Sequence, residues 1–279
     1  MKVELNTVFS PSDGEIKLFR KMSNILSRTY NVTFIAETHK QSVSYHSIAI
    51  KGAAIREISD LWIIAFSPLK SRARMTFLQA KYHRGILGTA TPSFKGEFFQ
   101  YELLSERPLI KNVGKKFTFP TDILSFSCCT SIGSYGVFFI DSSGQIDMAY
   151  SSASYLSLSS PGPKTYRSLP VNLSIPNIIS SGTCICDCYV CSERISCFDI
   201  DTFTNAILDL EIGAELTPFP HILSFIQGFL APQKGDPVIN QFLNFDNNIP
   251  PDVAGDNTSV QDGLPINLLL INTDNEISK

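Results

Sequence analysis

The chain has 279 residues, 43% hydrophobic and 18% charged, with a net charge of −3 and seven cysteines. This is globular composition, not that of a disulfide-dense secreted scaffold, and it allows one large domain or two modest ones. No apolar run approaches the roughly 18 residues a membrane helix needs. The start, MKVELNTVFSPSDGE, has no apolar segment with a small-residue cleavage site, so a cytoplasmic protein without membrane attachment is expected.

In chain order, SPSDGEIKLFRKMSNILSRTY places Ile16, Phe19, Met22 or Ser23, Leu26 and Tyr30 at helical spacing. It predicts a first helix capped by Ser10 or Ser12. NVTFIAETHK and SVSYHSIAIKG read as extended. REISDLWIIAFSP begins polar and becomes a strand from Leu61 to Phe66, stopped by Ser67-Pro68. LKSRA is a polar turn and RMTFLQAKYH the next strand, close enough to make a hairpin. GEFFQYELLSERP predicts a short helix ended before Pro108.

The texture changes after Phe119-Pro120. GVFFIDSSGQIDMAY predicts a hairpin turning at Ser-Ser-Gly, and Ser151 to Pro176 reads as a long Ser- and Pro-rich loop. Helices are expected near Asp201 to Leu210, with Asp201 or Thr202 as cap, and within HILSFIQGFLAPQ. The chain from Asn247 is polar, although LPINLLLIN can add a strand. The expected organisation is a first domain over 1–120, a regulatory or partner-binding region over 121–246, and a polar tail over 247–279.

Charge divides along the same line. Residues 1–120 hold 18 basic and 9 acidic side chains, a balance of +9; the remainder holds 5 and 17, a balance of −12. Halves of opposite sign suggest different partners. Lys70, Arg72, Arg74, His83 and Arg84 fall in a stretch without acids. They are candidate nucleic-acid-binding residues, able to neutralise a phosphate backbone by counterion release. The plain alternative is a solvated basic surface.

FLQAKYHR, residues 77–84, carries the chemistry. Gln79 and Lys81 are two apart on a strand and project from one face. They point either to solvent or into a cleft. Hydrolysing a phosphodiester needs a divalent cation held by hard oxygen ligands, and a neighbouring ammonium adds charge stabilisation. The hairpin brings Asp60 beside Gln79, whose amide oxygen is a neutral ligand. Glu57 and Glu15 are the candidates to supply further negative charge.

An Asp, a turn, then Q-x-K on the next strand resembles the PD-(D/E)xK superfamily of restriction-endonuclease-like nucleases. FLQAK is similar to the Q-x-K variant of modification-dependent restriction enzymes. The resemblance covers about residues 10–110. It implies an α/β fold, with a restriction-endonuclease-like core on an α+β mixed sheet and a C-terminal α+β extension. It also implies Mg²⁺ or Mn²⁺ as cofactor, double-stranded DNA as substrate, and a role in restriction or antiviral defence with a partner protein or a second copy. Asp60 would be the metal-binding aspartate, Gln79 would replace the usual acidic ligand, and Lys81 would be the lysine. Glu57 would be an extra ligand, and Glu15 loosely matches a helix glutamate of some members. Ser59, not proline, precedes Asp60.

TCICDCYVCSERISC gives a second constellation. Cys184, Cys186, Cys188 and Cys191 are candidate zinc ligands, with Cys128 or Cys129 as distant ones, but there is a single C-x-x-C knuckle. Alternating cysteines equally suit a buried strand face. Two other functions therefore stand beside the nuclease: a nuclease-fold scaffold subunit with an impaired site, and a zinc-binding interaction module. Mn²⁺ binding that depends on Asp60 discriminates the first, and metal analysis the second.

Overall fold

A computed structural model describes residues 1–37, 42–86, 92–114, 117–159, 169–175, 181–185, 190–245 and 266–276, without the side chains of 84–86, 184–185, 191 and 275–276. The chain opens with α1 (Lys2–Val8) and α2 (Glu15–Leu26). Leu18, Phe19, Met22, Ile25 and Leu26 form the buried stripe of an amphipathic helix in α2. Neither Ser10 nor Ser12 caps it. Gly14 is the N-cap, and the buried Asp13 accepts from Ser10 N–H at 2.8 Å and pairs with Lys17 at 2.7 Å.

The strands β1 (Tyr30–Ile35), β2 (Ser42–Ser47) and β3 (Gly52–Glu57) follow. β4 (Leu61–Ser67) and β5 (Arg72–Ile86) form the expected hairpin, with Leu61 opposite Leu78 and Ser67 opposite Arg72. β6 (Ser93–Glu97) runs into α3 (Phe98–Glu106), and β7 (Ile110–Asn112) follows. Glu97 caps α3 by accepting from the Gln100 N–H at 2.8 Å. Arg107, at φ 51°, closes the helix just before Pro108.

β8 (Gly133–Ile140) and β9 (Ile146–Ser152) make the second expected hairpin. The stretch read as a long loop contributes β10 (Ser157–Leu158) and β11 (Pro170–Ser174), and β11 pairs with β6. Then come β12 (Ser181–Ile185), β13 (Val190–Arg194), β14 (Ser196–Cys197) and α4 (Ile200–Leu208). The cap of α4 is Asp199, which accepts from Thr202 N–H at 2.6 Å; Asp201 and Thr202 lie inside the helix. β15 (Ala214–Glu215), α5 (Pro220–Leu230), α6 (Pro237–Leu243) and β16 (Asn267–Glu276) complete the chain.

One large mixed sheet dominates, ordered β1-β16-β4-β5-β8-β9-β14, with β15 also paired to β5. β2, β3 and β7 form a small sheet beside it. β5 and β8 are parallel, a pairing that requires a crossover, and α3 lies within it. Gly133 permits that packing, because a Cβ there would stand 2.3 Å from the Leu104 carbonyl oxygen of α3. β16 runs parallel to β4 in the interior of the sheet, so the expected polar tail contains a central strand. β8, β9, β14 and β16 all come from beyond residue 120, and the sheet does not break at that expected boundary.

Both faces of this sheet are covered. Trp62, Phe77, Phe99 and Phe119 belong to the core on one face, and Leu61, Ile63, Leu78 and Phe19 to the core on the other. Every residue of β4 is buried, which explains its uninterrupted apolar run. The fold is a mixed α/β arrangement. Among the described residues no helix is long and apolar enough to cross a membrane.

Candidate active site

β4 and β5 place the chemistry of FLQAKYHR. Phe77 and Gln79 share one face of β5, while Leu78 and Ala80 face the opposite core. Gln79 is only 6% exposed, so it does not take the solvent side of an amphipathic strand. Its amide Nε2 donates to Asp60 Oδ2. Asp60 stands just before β4, and the same Oδ2 accepts the Ala80 N–H at 3.0 Å. The Asn267 amide, from β16, donates to the Asp60 carbonyl at 3.0 Å and holds the backbone there. The hairpin thus brings Asp60 and Gln79 into contact, 19 residues apart in sequence.

The electrostatics gather the remaining candidates. Burial pushes the Asp60 carboxyl above its ordinary value, the Lys81 ammonium and the Ala80 N–H pull it down, and Glu57 and Glu15 push it up again. Lys81, Glu57 and Glu15 therefore lie near enough to act on Asp60, although they come from β5, β3 and α2. Lys81 is partly exposed. Among the described residues, no three carboxylate, imidazole or thiolate groups stand together as a metal cage.

Asp60 and Gln79 carry oxygen donors of the kind a divalent cation takes. Lys81 pulls the Asp60 carboxyl down and the carboxylates of Glu57 and Glu15 push it up. An amide has an oxygen as well as a nitrogen. With the Gln79 amide turned over, its oxygen would face the Asp60 carboxylate.

Two neighbours were not legible as site residues. Arg56, beside Glu57, makes a two-pronged pair with Glu97: Nε to Oε2 and Nη2 to Oε1, both 2.9 Å. Burial pushes the Glu97 carboxyl up, but the Arg56 bonds outweigh it and hold it below the ordinary range. The pair ties the end of β3 to the N-terminus of α3, and so positions Glu57. Its only sequence signal is a glutamate at a helix start. The second neighbour is Tyr135, on β8, brought beside Gln79 by parallel pairing alone.

The basic residues do not converge on this site. Arg74 is 1% exposed. Its guanidinium donates to Glu215 at 3.3 Å and to the carbonyls of Glu211, Gly213 and Ser192. It is a structural arginine, not a nucleic-acid contact, because burial leaves it no outward donor. Arg72 also pairs with Glu215, at 2.8 Å. Lys70 is exposed in the hairpin turn. Seven residues of strand separate Arg72 from Gln79, about 23 Å, so Lys70 and Arg72 sit at the far end of the sheet from Asp60. His83 follows Lys81 on the same strand and is partly exposed. The Arg84 side chain lies outside the described residues.

The cysteine constellation falls largely outside the description. Cys184 and Cys191 are cross-strand partners on the β12–β13 hairpin, but their side chains, and all of Cys186 and Cys188, are outside the described residues. Cys128 is disulfide-bonded, which removes its thiolate from the candidate zinc ligands. Cys129 is buried. No protein-family model, no curated protein and no solved structure matches the chain.

Proposed function

We propose that the chain is a Mg²⁺- or Mn²⁺-dependent endodeoxyribonuclease with a restriction-endonuclease-like core, serving in restriction or antiviral defence. The observation that carries the reading is the contact of Asp60 with Gln79, with Lys81 beside them, across the β4–β5 hairpin. The element order adds support: a helix bearing Glu15, the hairpin, then α3 leading to a strand parallel to β5. On the other side of the hairpin, β16 flanks β4 in parallel.

In this reading Asp60, the Gln79 amide oxygen, Glu57 and Glu15 hold the cation. When bound, the cation polarises the phosphoryl oxygen and acidifies a water. Lys81 stabilises the negative charge that develops on the phosphate. Double-stranded DNA is the substrate, and its backbone contacts come from surfaces other than Arg74.

Supercoiled plasmid incubated with Mg²⁺ or Mn²⁺ tests this. Wild type is expected to nick it, and Asp60→Ala and Lys81→Ala to lose about 100-fold or more of the rate. Equal cutting by both variants and wild type would remove the assigned site.

A second reading, a scaffold subunit with an impaired site, is favoured by Gln79 standing where a carboxylate is usual, and by the lack of a three-ligand cage among the described residues. Calorimetric titration separates the two, since a scaffold shows no Mn²⁺ binding that depends on Asp60.

A further inference from the structure

The two ends of the large sheet are finished differently. At one end β14 is two residues long, Ser196–Cys197, and both are buried. A short, covered strand is one of the ways native sheets blunt an edge. At the other end β1 presents six residues, Tyr30–Ile35, all of them partly exposed. Among the described residues β1 pairs only with β16. Its sequence, YNVTFI, holds no charge and no proline to discourage a further strand. The open side of β1 therefore offers unpaired backbone groups along about 20 Å of edge.

A groove runs beside this edge. A cavity of about 340 Å³ lies between β1 and α2, lined by Arg20, Ser23, Asn24 and Ser27 of the helix and by Val32 and Phe34 of the strand. The four helix residues recur at spacings of three and four, so they form one polar ridge. Val32 and Phe34 alternate on β1 and face α2. No carboxylate lines the cavity. The neighbouring cations are already paired, Lys17 and Lys21 with Asp13 and Arg28 with Glu4. Arg20 is exposed, and its guanidinium lies over the Phe34 ring, 5.4 Å from the centroid. Among the described residues it pairs with no carboxylate.

We propose that the groove between β1 and α2 takes an extended, acidic segment of a partner protein, added to the sheet as a strand beside β1. Strand addition draws affinity from main-chain hydrogen bonds and specificity from the pockets that alternate side chains enter. Every second side chain of the added strand turns toward α2. The recognised pattern is thus an acid for Arg20 and, two residues away, an apolar side chain beside Val32. Charge decides between occupants. The β1 strand of a second copy carries no acid and leaves Arg20 unpaired, whereas a carboxylate meets a guanidinium already held in place by Phe34.

Phage-displayed random octapeptides selected on the full chain test this. Recovered sequences are synthesised and titrated by fluorescence anisotropy against wild type and Arg20→Glu. They are expected to carry Asp or Glu two residues from Val, Ile or Phe, and to bind Arg20→Glu about tenfold more weakly. Binding is expected to slow amide exchange in Tyr30–Ile35. N-methylation of alternate peptide amides, which leaves the protein untouched, is expected to abolish it. Peptides that bind wild type and Arg20→Glu equally, or that slow exchange only elsewhere, overturn the assignment, and so does a selection that recovers none. Concentration-dependent dimerisation that itself protects Tyr30–Ile35 gives the edge to a second copy and overturns it too.

Discussion

At the scale of single residues, Asp60 is held against its own chemistry. Burial and the carboxylates of Glu57 and Glu15 favour its protonated form, while Lys81 and the Ala80 N–H favour the ionised one, and the net displacement is upward. A carboxyl with a raised folded-state pKa loses stability as pH rises through that value, because the ionised form is better solvated in the unfolded chain. Asparagine at the same position carries no such charge. Asp60→Asn is therefore expected to raise the metal-free melting temperature at pH 7 by about 2–4 °C, with the gain vanishing in acid, where both side chains are neutral. Mg²⁺ or Mn²⁺ should stabilise wild type and not the variant. A variant that melts below wild type at pH 7 and not in acid would show that the Asp60 charge is stabilising. Gln79 is legible from its spacing to Lys81, but its burial is not. The solvent-facing reading fails for Gln79, which the aromatic core covers, while Lys81 on the same face is partly exposed.

At the scale of elements, the β4–β5 hairpin separates two kinds of basic residue that sequence places in one stretch. The tip carries Lys70 and Arg72, the middle buries Arg74, and the far end presents Lys81. Arg74 ties β5 to β15 through Glu215, and to the carbonyls of Glu211, Gly213 and Ser192. Removing one partner of such a buried set strands the others without compensation. Arg74→Met is expected to lower stability by about 3–5 kcal/mol in urea unfolding, against less than about 0.5 kcal/mol for Lys70→Ala. Weakened DNA binding by Arg74→Met at full stability would instead restore it as a nucleic-acid contact. The helix ends show the same limit on sequence reading. Ser10 and Asp201 have capping chemistry, yet the caps are Gly14 and Asp199, because capping depends on where the backbone turns into the helix.

At the scale of the whole molecule, the charge boundary near residue 120 is not a boundary of the sheet. β8 pairs with β5 and β16 with β4, so the acidic half supplies both neighbours of the hairpin that bears the site. A chain ending at residue 120 loses β8, β9, β14 and β16 and exposes the edges of β4 and β5. It is expected not to fold, as measured by loss of cooperative thermal unfolding and rapid proteolysis; a cooperative melt from that fragment would establish an independent domain.

Local signals in the sequence determined α2 but not α1, the two hairpins, α3, the strand in LPINLLLIN, and the spacing of Asp60, Gln79 and Lys81. All of these arise within about 20 residues, through periodicity, turn residues and side-chain chemistry. Only the tertiary structure decided that β16 lies beside β4, that Tyr135 pairs with Gln79, and that Arg74 points inward. Those outcomes rest on parallel pairings and packing between segments tens to hundreds of residues apart, and no local pattern in the chain encodes which distant strand will be the neighbour.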